Sequence, residues 1–305
     1  HALCVGALDA STDYADLADA DLIVEAVFED MGVKKEVFAR LDAVAAPDAI
    51  LATNTSYLDV NEIAEATAHP NRVIGLHFFS PAHIMKLLEI VVPGCASDTT
   101  LATAVTFAKG LRKIPVLAGV CDGFIANRIM SAYRREAEYM IEDNALPWEV
   151  DAAMVDFGLP MGVFQMGDLA GLDISWAMRK RQAATRDPGQ RYVDIGDKLC
   201  EMGRFGRKTG RGYYLYDDAG QGRPDPEVEA LIKAESARKG ITRRPMDAAR
   251  IMARTLGAMQ AEGQRILDQG IAQSPDDIDV VMVNAYGFPR WRGGPMFMLG
   301  AGAAS

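Results

Sequence analysis

The sequence predicts an α/β fold with a largely parallel sheet, followed by helical segments that contain an internal repeat. Three observations support this prediction. Strand-like and helix-like patterns alternate over residues 1–119. From residue 124 onward, apolar residues recur mainly at helical spacing. Finally, part of the segment that begins at Pro147 recurs from Pro275 onward.

The first 119 residues contain five short apolar runs with the length of buried strands, at 21–27, 49–53, 72–79, 86–92 and 114–117. Helical spacing occurs between them at 34–46, 60–68 and 99–111. Ligands of largely parallel sheets gather at the carboxyl ends of strands. Glu29, Ser56 and His77 lie at or just after such ends, so we expect a binding site there.

The second part of the sequence predicts helices at 124–143, 149–157, 193–202, 225–239 and 246–270. A glycine-rich basic stretch, 203–212, and a polar linker, 217–225, interrupt them. The internal repeat has an offset of 128 residues: Pro147, Asp151, Met154 and Val155 recur as Pro275, Asp279, Met282 and Val283. After one inserted residue, Phe-Gly-Leu-Pro at 157–160 matches Tyr-Gly-Phe-Pro at 286–289, which indicates a duplicated helical domain.

Composition excludes several classes of protein. The net charge of −10 argues against nucleic-acid binding, which requires a basic face. No apolar run reaches the roughly 18 residues of a membrane span. The four cysteines have no metal-type spacing, so we expect no metal site and buried free thiols in a reducing compartment. With no signal peptide and no peroxisomal address in the final Ala-Ala-Ser, we expect a cytoplasmic location.

His77 and Glu89 are the most informative residues of the chain, which has only four histidines. His77 lies in an aromatic, strand-like run, and Glu89 follows twelve residues later. Imidazole can take and return a proton near neutral pH, and a nearby carboxylate fixes its tautomer and stabilises the imidazolium. The pair therefore suggests a general base and its orienting acid. The alternative is that His77 is a buried core residue with a satisfied hydrogen bond.

Two further polar residues lie where they can serve a site. Ser56 ends the turn Asn-Thr-Ser that follows a strand, and it can hydrogen-bond a substrate oxygen or the base. The alternative is ordinary turn chemistry, in which these residue types are common. Asn127 begins the first helical segment, where an amide can polarise a carbonyl oxygen. The alternative is a structural residue at a helix start.

Charged residues near the first strand offer a third group of candidates. Glu25 and Glu29 flank the strand end, where a carboxylate can bind ribose hydroxyls, and Lys34 in the next turn can approach a cofactor. A solvated helix start is the alternative for Lys34. The basic stretch 204–211 can cradle phosphates, but it lacks the P-loop pattern, and a structural loop is the alternative.

Taken together, these motifs resemble the L-3-hydroxyacyl-CoA dehydrogenases. The order and the spacing agree throughout: 21 residues from Ser56 to His77, 12 to Glu89 and 38 to Asn127. Segments 24–29, 75–81, 123–128, 157–162 and 208–214 carry the likeness. Segment 286–295 and the repeat are similar to the dehydrogenase half of multifunctional fatty-acid β-oxidation proteins, which carry an enoyl-CoA hydratase upstream.

The resemblance implies residue roles in the oxidation of a 3-hydroxyacyl-CoA to the 3-oxoacyl-CoA with NAD. His77 would be the base that takes the hydroxyl proton as hydride leaves C3. Glu89 would stabilise the charged imidazole. Ser56 would contact the substrate oxygen and the cofactor, and Asn127 would hydrogen-bond the same oxygen.

The same resemblance implies the cofactor contacts. Val27, Phe28, Glu29 and Lys34 would line the adenosine and ribose side, and Ser80 would lie near the nicotinamide. Many relatives have Asn in place of Ser80, and the shorter side chain reduces the reach of that contact. No metal is implied.

The implied architecture has three parts. Residues 1–119 would form a Rossmann-type NAD-binding domain that lacks its first βαβ unit. Residues 120–220 would be the first helical dehydrogenase C-terminal domain, and 221–305 a second, truncated repeat. The glycine-rich fingerprint of dinucleotide-binding folds is absent from the 305 residues, so we expect the isolated chain to bind NAD poorly. An upstream hydratase domain and a thiolase partner are implied for the whole protein.

Two alternatives to this function stay open. One is a stand-alone 3-hydroxybutyryl-CoA dehydrogenase, although a single helical domain would suffice for such an enzyme. The other is a non-catalytic module of the same fold that binds acyl-CoA or a partner, or that serves structurally. The second alternative requires His77 or Glu89 to be idle.

Overall fold

The computed structural model describes residues 6–184, 186–189 and 191–303. The chain divides into two compact units. The first contains the described residues up to 128, residues 263–286 and the described residues from 296 onward. The second contains residues 129–262, with the same gaps, and 287–295.

The first unit is built around a five-stranded sheet in the order β1 to β5. Its strands are β1 (Leu22–Glu25), β2 (Ile50–Thr53), β3 (Val73–Phe78), β4 (Leu87–Val92) and β5 (Ile114–Gly119). Helices α1 (Met31–Val44), α2 (Val60–Ala64) and α3 (Asp98–Gly110) alternate with them. An apolar core lies between the sheet and α3. Its buried residues are Ile50, Ala52, Ile74, Leu76, Leu88 and Ile90 of the sheet and Ala104 and Ala108 of α3.

The pairing of β3 with β4 is the exception in a sheet whose other neighbouring strands pair in parallel. Strand β4 runs antiparallel to β3 because the connection 79–86 is shorter than the dozen or more residues that a parallel crossover needs. This connection has a direct consequence for the site. It sets a register in which His77 lies directly opposite Glu89.

The helical part of the chain begins with α4 (Ala126–Asp143), which contributes residues to both units. The second unit continues with α5 (Pro147–Phe157), α6 (Val163–Ala170), α7 (Leu172–Gln182), α8 (Ile195–Glu201), the hairpin β6 (Tyr214–Tyr216) and β7 (Gly222–Pro224), and α9 (Pro226–Arg238). Then come α10 (Ala248–Asp268), α11 (Pro275–Ala285) and α12 (Pro295–Ala303). None of the described helices has the length and apolarity needed to cross a bilayer.

Three expectations about local structure need correction. Helices α6, α7 and α12 were not predicted, because short helices beside glycines give a weak periodic signal. The polar linker 217–225 contains β7, which pairs with β6 after a tight turn at 217–220. The cysteines are not all buried: Cys200 is buried, Cys121 is half-buried and Cys95 is exposed, while Cys4 lies outside the described residues.

The repeated aspartates make the same contact in both copies. Asp151 of α5 accepts the backbone N–H groups of Phe164 and Gln165 at the start of α6, over 3.0 and 2.9 Å. Asp279 of α11 accepts the backbone N–H groups of Met296 and Phe297, the second and third residues of α12, each over 2.8 Å. In each copy, a buried carboxylate therefore satisfies the free N–H groups of the following helix.

The repeated turns of the two copies pack on each other within the second unit. Gly158 has φ +121°, and a Cβ there would lie 3.1 Å from Pro289. Gly287 has φ +69°, and a Cβ there would lie 2.9 Å from Pro160. Each copy thus presses its proline against the other copy's glycine. The Gly-x-Pro pattern occurs in both copies because the glycine of each copy packs against the proline of the other.

These contacts predict a pH dependence of stability. Burial raises the pKa of Asp151 to about 6 from 3.8, despite three hydrogen-bond donors. A folded pKa above the unfolded value contributes stability that is fully present below about pH 3.8 and is lost as the pH rises through 6. Asp151→Asn should therefore reduce the fall in unfolding free energy between pH 4 and 7 by about 2–3 kcal/mol.

The measurement is urea unfolding at pH 4 and pH 7. Asp218→Asn, an equally isosteric change at an exposed site of the same unit, is the matched control and should keep the native difference. If Asp151→Asn keeps the native difference as well, the buried carboxyl does not hold its proton as described. A constant loss of stability at both pH values does not affect this comparison.

Candidate active site

The structure brings His77 and Glu89 together in the interior of the first unit. Their strands pair antiparallel with the two residues in register, which places both side chains on one face of the sheet. His77 Nδ1 lies 2.7 Å from Glu89 Oε2, and their exposed fractions are 4% and 0%. A carboxylate only accepts, so Nδ1 carries the hydrogen. Nε2 is left with its lone pair, which is the form a general base needs.

The second oxygen of Glu89 is bound at the start of α4. Oε1 accepts the backbone N–H groups of Ile125 and Ala126 over 3.1 and 3.0 Å. Together with His77, these donors give the fully buried carboxylate three hydrogen bonds, two of them from the positive end of an 18-residue helix. Glu89 therefore fixes the position of the imidazole relative to the first turn of α4.

A left-handed backbone turn directs those N–H groups at Glu89. Gly123 has φ +78° and Phe124 has φ +48°. A left-handed conformation is unfavourable for a bulky residue and is retained only where its surroundings impose it. Phe124 is fully buried, and its ring packs edge to face with the His77 ring, with the two ring centres 5.6 Å apart. The ring thus packs on the base while its backbone turns the chain into α4.

Ser56 lies on the other side of the imidazole. Its hydroxyl Oγ is 3.2 Å from His77 Nε2, where it can donate. Glu29 holds the loop that carries Ser56, because its Oε1 accepts from Thr55 Oγ1 at 2.6 Å and from the N–H groups of Ser56 and Tyr57. The carboxylate of Glu29 therefore orders this loop; the ribose contact predicted for Glu29 stays a prediction.

Lys34 is placed differently from the sequence-based expectation. Its side chain is fully buried, and Nζ donates to Glu25 Oε1 at 2.7 Å and Oε2 at 3.0 Å, with Asn54 O at 3.4 Å. Thr53 Oγ1 also donates to Glu25, over 2.8 Å. The ammonium is thus part of a buried ion pair beneath the site. The structure gives Lys34 no exposed surface for the predicted cofactor contact.

The remaining predicted cofactor residues are on the surface. Val27 and Phe28 follow β1, with exposed fractions of 41% and 86%. Ser80 follows β3 and is also exposed. These residues lie at the carboxyl ends of the strands, as expected for a ligand site.

Arg204, the first residue of the basic stretch 204–211, has a structural role. The guanidinium of Arg204 is fully buried and binds Gly212 O, Asp225 and Glu227. This group is therefore committed to holding the hairpin against α9 rather than to binding a phosphate.

Asn127, the second residue of α4, has a partner that sequence reasoning missed. The Tyr286 hydroxyl donates to Asn127 Oδ1 over 2.5 Å. The available signal was a difference between the copies, because Tyr286 stands where the first copy has Phe157. One of the two aligned aromatic residues carries a hydroxyl, and it reaches the predicted site.

Comparisons with known proteins identify the family of the chain. Residues 2–121 match the model described as 3-hydroxyacyl-CoA dehydrogenase, NAD binding domain, and residues 123–216 match its C-terminal domain. A crystal structure of (S)-3-hydroxybutyryl-CoA dehydrogenase from Ralstonia eutropha is 32% identical, covers 68% of this chain and 75% of that one, and has a TM-score of 0.60. The chain belongs to the 3-hydroxyacyl-CoA dehydrogenase family. The predicted family, its α/β fold and its cofactor, NAD, are thereby confirmed.

Two further relatives show what share of a related protein's length this chain covers. 3-Hydroxybutyryl-CoA dehydrogenase from Escherichia coli is similar over 96% of this chain and 76% of its own, at 26% identity and a TM-score of 0.79. The peroxisomal bifunctional enzyme of Danio rerio is 46% identical over 300 residues, which are 94% of this chain and 42% of that protein. The chain spans less than half the length of this curated relative.

The predicted cytoplasmic location is wrong. The curated relatives are named peroxisomal or glyoxysomal enzymes. The prediction failed because it relied on Ala-Ala-Ser at residues 303–305 as a terminal address. The chain matches only about 40% of the length of its relatives, so these three residues carry no information about the address of the whole protein.

The buried ion pair predicts how a Lys34 variant will behave. Lys34→Met leaves the Glu25 carboxylate buried without its cation, which should cost about 3–5 kcal/mol in unfolding free energy. The double variant Lys34→Met/Glu25→Leu should recover most of that loss, because it removes both charges. Lys35→Met is the matched control: Lys35 and its partner Glu62 are exposed, and the expected loss is below about 1 kcal/mol.

Chemical denaturation checks this prediction. Equal stability of the Lys34→Met and Lys35→Met variants would contradict the structural role assigned to Lys34. If that equal stability came with a raised KM for NAD, the cofactor contact expected from the resemblance would be the better interpretation.

Proposed function

We propose that the protein carrying this chain oxidises (S)-3-hydroxyacyl-CoA to 3-oxoacyl-CoA with NAD, as a step of fatty-acid β-oxidation in the peroxisome. The observation that carries the proposal is the buried His77–Glu89 pair, which leaves Nε2 of the imidazole as an acceptor beside Ser56. Membership of the dehydrogenase family supports the reaction class. The names of the curated relatives support the compartment and the pathway.

The residues present fit the cofactor in part. Phe28 and Val27 offer exposed apolar surface that an adenosine can cover, and Ser80 offers an exposed hydroxyl near the end of β3. Glu29 already orders the Ser56 loop, and Lys34 is buried, so the phosphates need other donors. The 305 residues contain no glycine-rich phosphate loop, and weak NAD binding by the isolated chain therefore stays a prediction.

The chain's own residues account for the proton transfer in the reaction. Bound NAD supplies the hydride acceptor. His77 Nε2 takes the proton of the substrate 3-hydroxyl as the C3–H electron pair leaves, and C3=O forms. The positive charge then on the imidazole is balanced by Glu89, which Ile125 and Ala126 hold in place. Ser56 and Asn127 act as hydrogen-bond donors to the substrate oxygen.

The architecture of the whole protein is also a proposal. We assign residues 1–119 to an incomplete Rossmann-type domain, 120–220 to a first helical domain and 221–305 to a second copy. The matching aspartate caps and the reciprocal Gly–Pro contacts support the duplication. A bifunctional relative supports a second activity in the same protein, for which an upstream enoyl-CoA hydratase is the candidate. A thiolase would consume the 3-oxoacyl-CoA product.

The reaction is tested by oxidation of NADH in the presence of acetoacetyl-CoA, using the full-length protein. His77→Ala should lower kcat about a thousandfold, because it removes the imidazole that exchanges the proton. His69→Ala is the matched control and should keep the native rate, since His69 is exposed, precedes β3 and binds Asp42. Equal rates for the native protein and His77→Ala would favour the non-catalytic alternative.

The orienting role of Glu89 makes a separate prediction. In Glu89→Gln, the oxygen end of the amide still accepts from Ile125 and Ala126, so the amide nitrogen faces His77 Nδ1. Two donors cannot face each other, and the imidazole must place its hydrogen on Nε2. The base is then lost, and kcat should fall about a thousandfold with little change in the KM for acetoacetyl-CoA.

Steady-state kinetics and thermal unfolding check this expectation together. A Glu89→Gln variant that unfolds near the native temperature and keeps more than a tenth of the native kcat would contradict the assigned tautomer.

A further inference from the structure

Tyr286, in the second copy of the helical repeat, contacts a residue of the proposed site. Tyr286 directly follows α11, which packs against β4 and β5. Its hydroxyl donates to Oδ1 of Asn127 over 2.5 Å. Strand β4 also carries Glu89, so one sheet supports the base, its carboxylate partner and this tyrosine.

The ring of Tyr286 is held independently of its hydroxyl. Phe79 meets it edge to face at 6.4 Å, and the same Phe79 ring lies 4.5 Å from the ring of His77. Phe79 is 9% exposed. The ring of Phe79 therefore contacts both the His77 ring and the Tyr286 ring, along one side of the site. The hydroxyl is fixed by packing on one side and by the amide on the other.

A hydroxyl that donates to Oδ1 stabilises one of the two orientations of an asparagine amide. The amide has one accepting end and one donating end, and its terminal torsion is soft enough for either to face a given direction. The oxygen of the substrate accumulates negative charge as its proton leaves, so it requires the donating end. With Oδ1 bound to a hydroxyl, Nδ2 is the end available for the substrate side.

We propose that Tyr286 is a positioning residue that holds the Asn127 amide with Nδ2 directed at the substrate oxygen. The inference rests on the proposed dehydrogenase function, because it needs Asn127 to bind that oxygen. The first copy has Phe157 at the matching position, buried against Phe288, and that ring has no hydroxyl to offer. Only the second of these two aligned aromatic residues, Tyr286, thus supplies a hydroxyl, and that hydroxyl binds Asn127.

The first test is Tyr286→Phe in the full-length protein, which keeps the ring against Phe79 and removes only the hydroxyl. We expect kcat for acetoacetyl-CoA reduction to fall about five- to tenfold, the usual effect of one oriented hydrogen bond, with KM within about twofold. Tyr139→Phe is the matched control: its hydroxyl binds Arg191 O far along α4, and its loss should leave kcat unchanged. A purely structural role would lower the unfolding temperature without this split between kcat and KM.

The second test is a double-mutant cycle. Asn127→Ala should lower kcat about a hundredfold on its own. Adding Tyr286→Phe to that variant should change nothing further, because the amide it positions is gone. A Tyr286→Phe effect of equal size in both backgrounds, or a native kcat for the single variant, overturns the proposal.

The outcomes also separate this inference from the function on which it rests. If the native full-length protein does not oxidise NADH with acetoacetyl-CoA, the proposed function fails, and Tyr286 loses its role with it. If His77→Ala abolishes the activity while Tyr286→Phe keeps it, the function stands and the positioning role alone is rejected.

Discussion

The fully buried carboxylate of Glu89 is the constraint on which the site depends. It has one oxygen on the imidazole of His77 and the other on the start of α4. A buried carboxylate with a missing donor is strongly unfavourable, so the three groups that satisfy it must stay together. The position of the base relative to the turn that leads to Asn127 is therefore fixed by the requirement to solvate one charge.

Two backbone features make this arrangement possible. The short connection between β3 and β4 imposes the antiparallel pairing that sets His77 opposite Glu89. The left-handed residues Gly123 and Phe124 then turn the chain so that consecutive N–H groups face the second oxygen. An unfavourable backbone conformation at a bulky residue persists here because the carboxylate and the buried ring both hold it.

Much of the fold and of the site could be predicted from the sequence, and each prediction that failed has a physical reason. Strands and long helices were predictable because burial imposes a period, and His77, Glu89 and Ser56 were predicted together and do lie together. The ion pair of Lys34 could not be predicted, because a lysine at a helix start is usually solvated and only tertiary structure reveals the carboxylate of Glu25 beside it. Tyr286 was missed because its contact spans 159 residues of sequence, which no local pattern encodes.

Buried carboxylates occur throughout the molecule, and their donors explain why one of them serves chemistry. Asp151 and Asp168 accept from backbone N–H groups and from tyrosine hydroxyls whose pKa values burial raises far above the usual range. Glu25 accepts from an ammonium with no access to solvent. Glu89 alone among these four has an imidazole as donor, and that imidazole presents its second nitrogen to Ser56. Hydrogen bonds satisfy a buried carboxylate at each of these four sites, and the Glu89 site is suited to proton transfer because its donor is an imidazole, which can both give and take a proton.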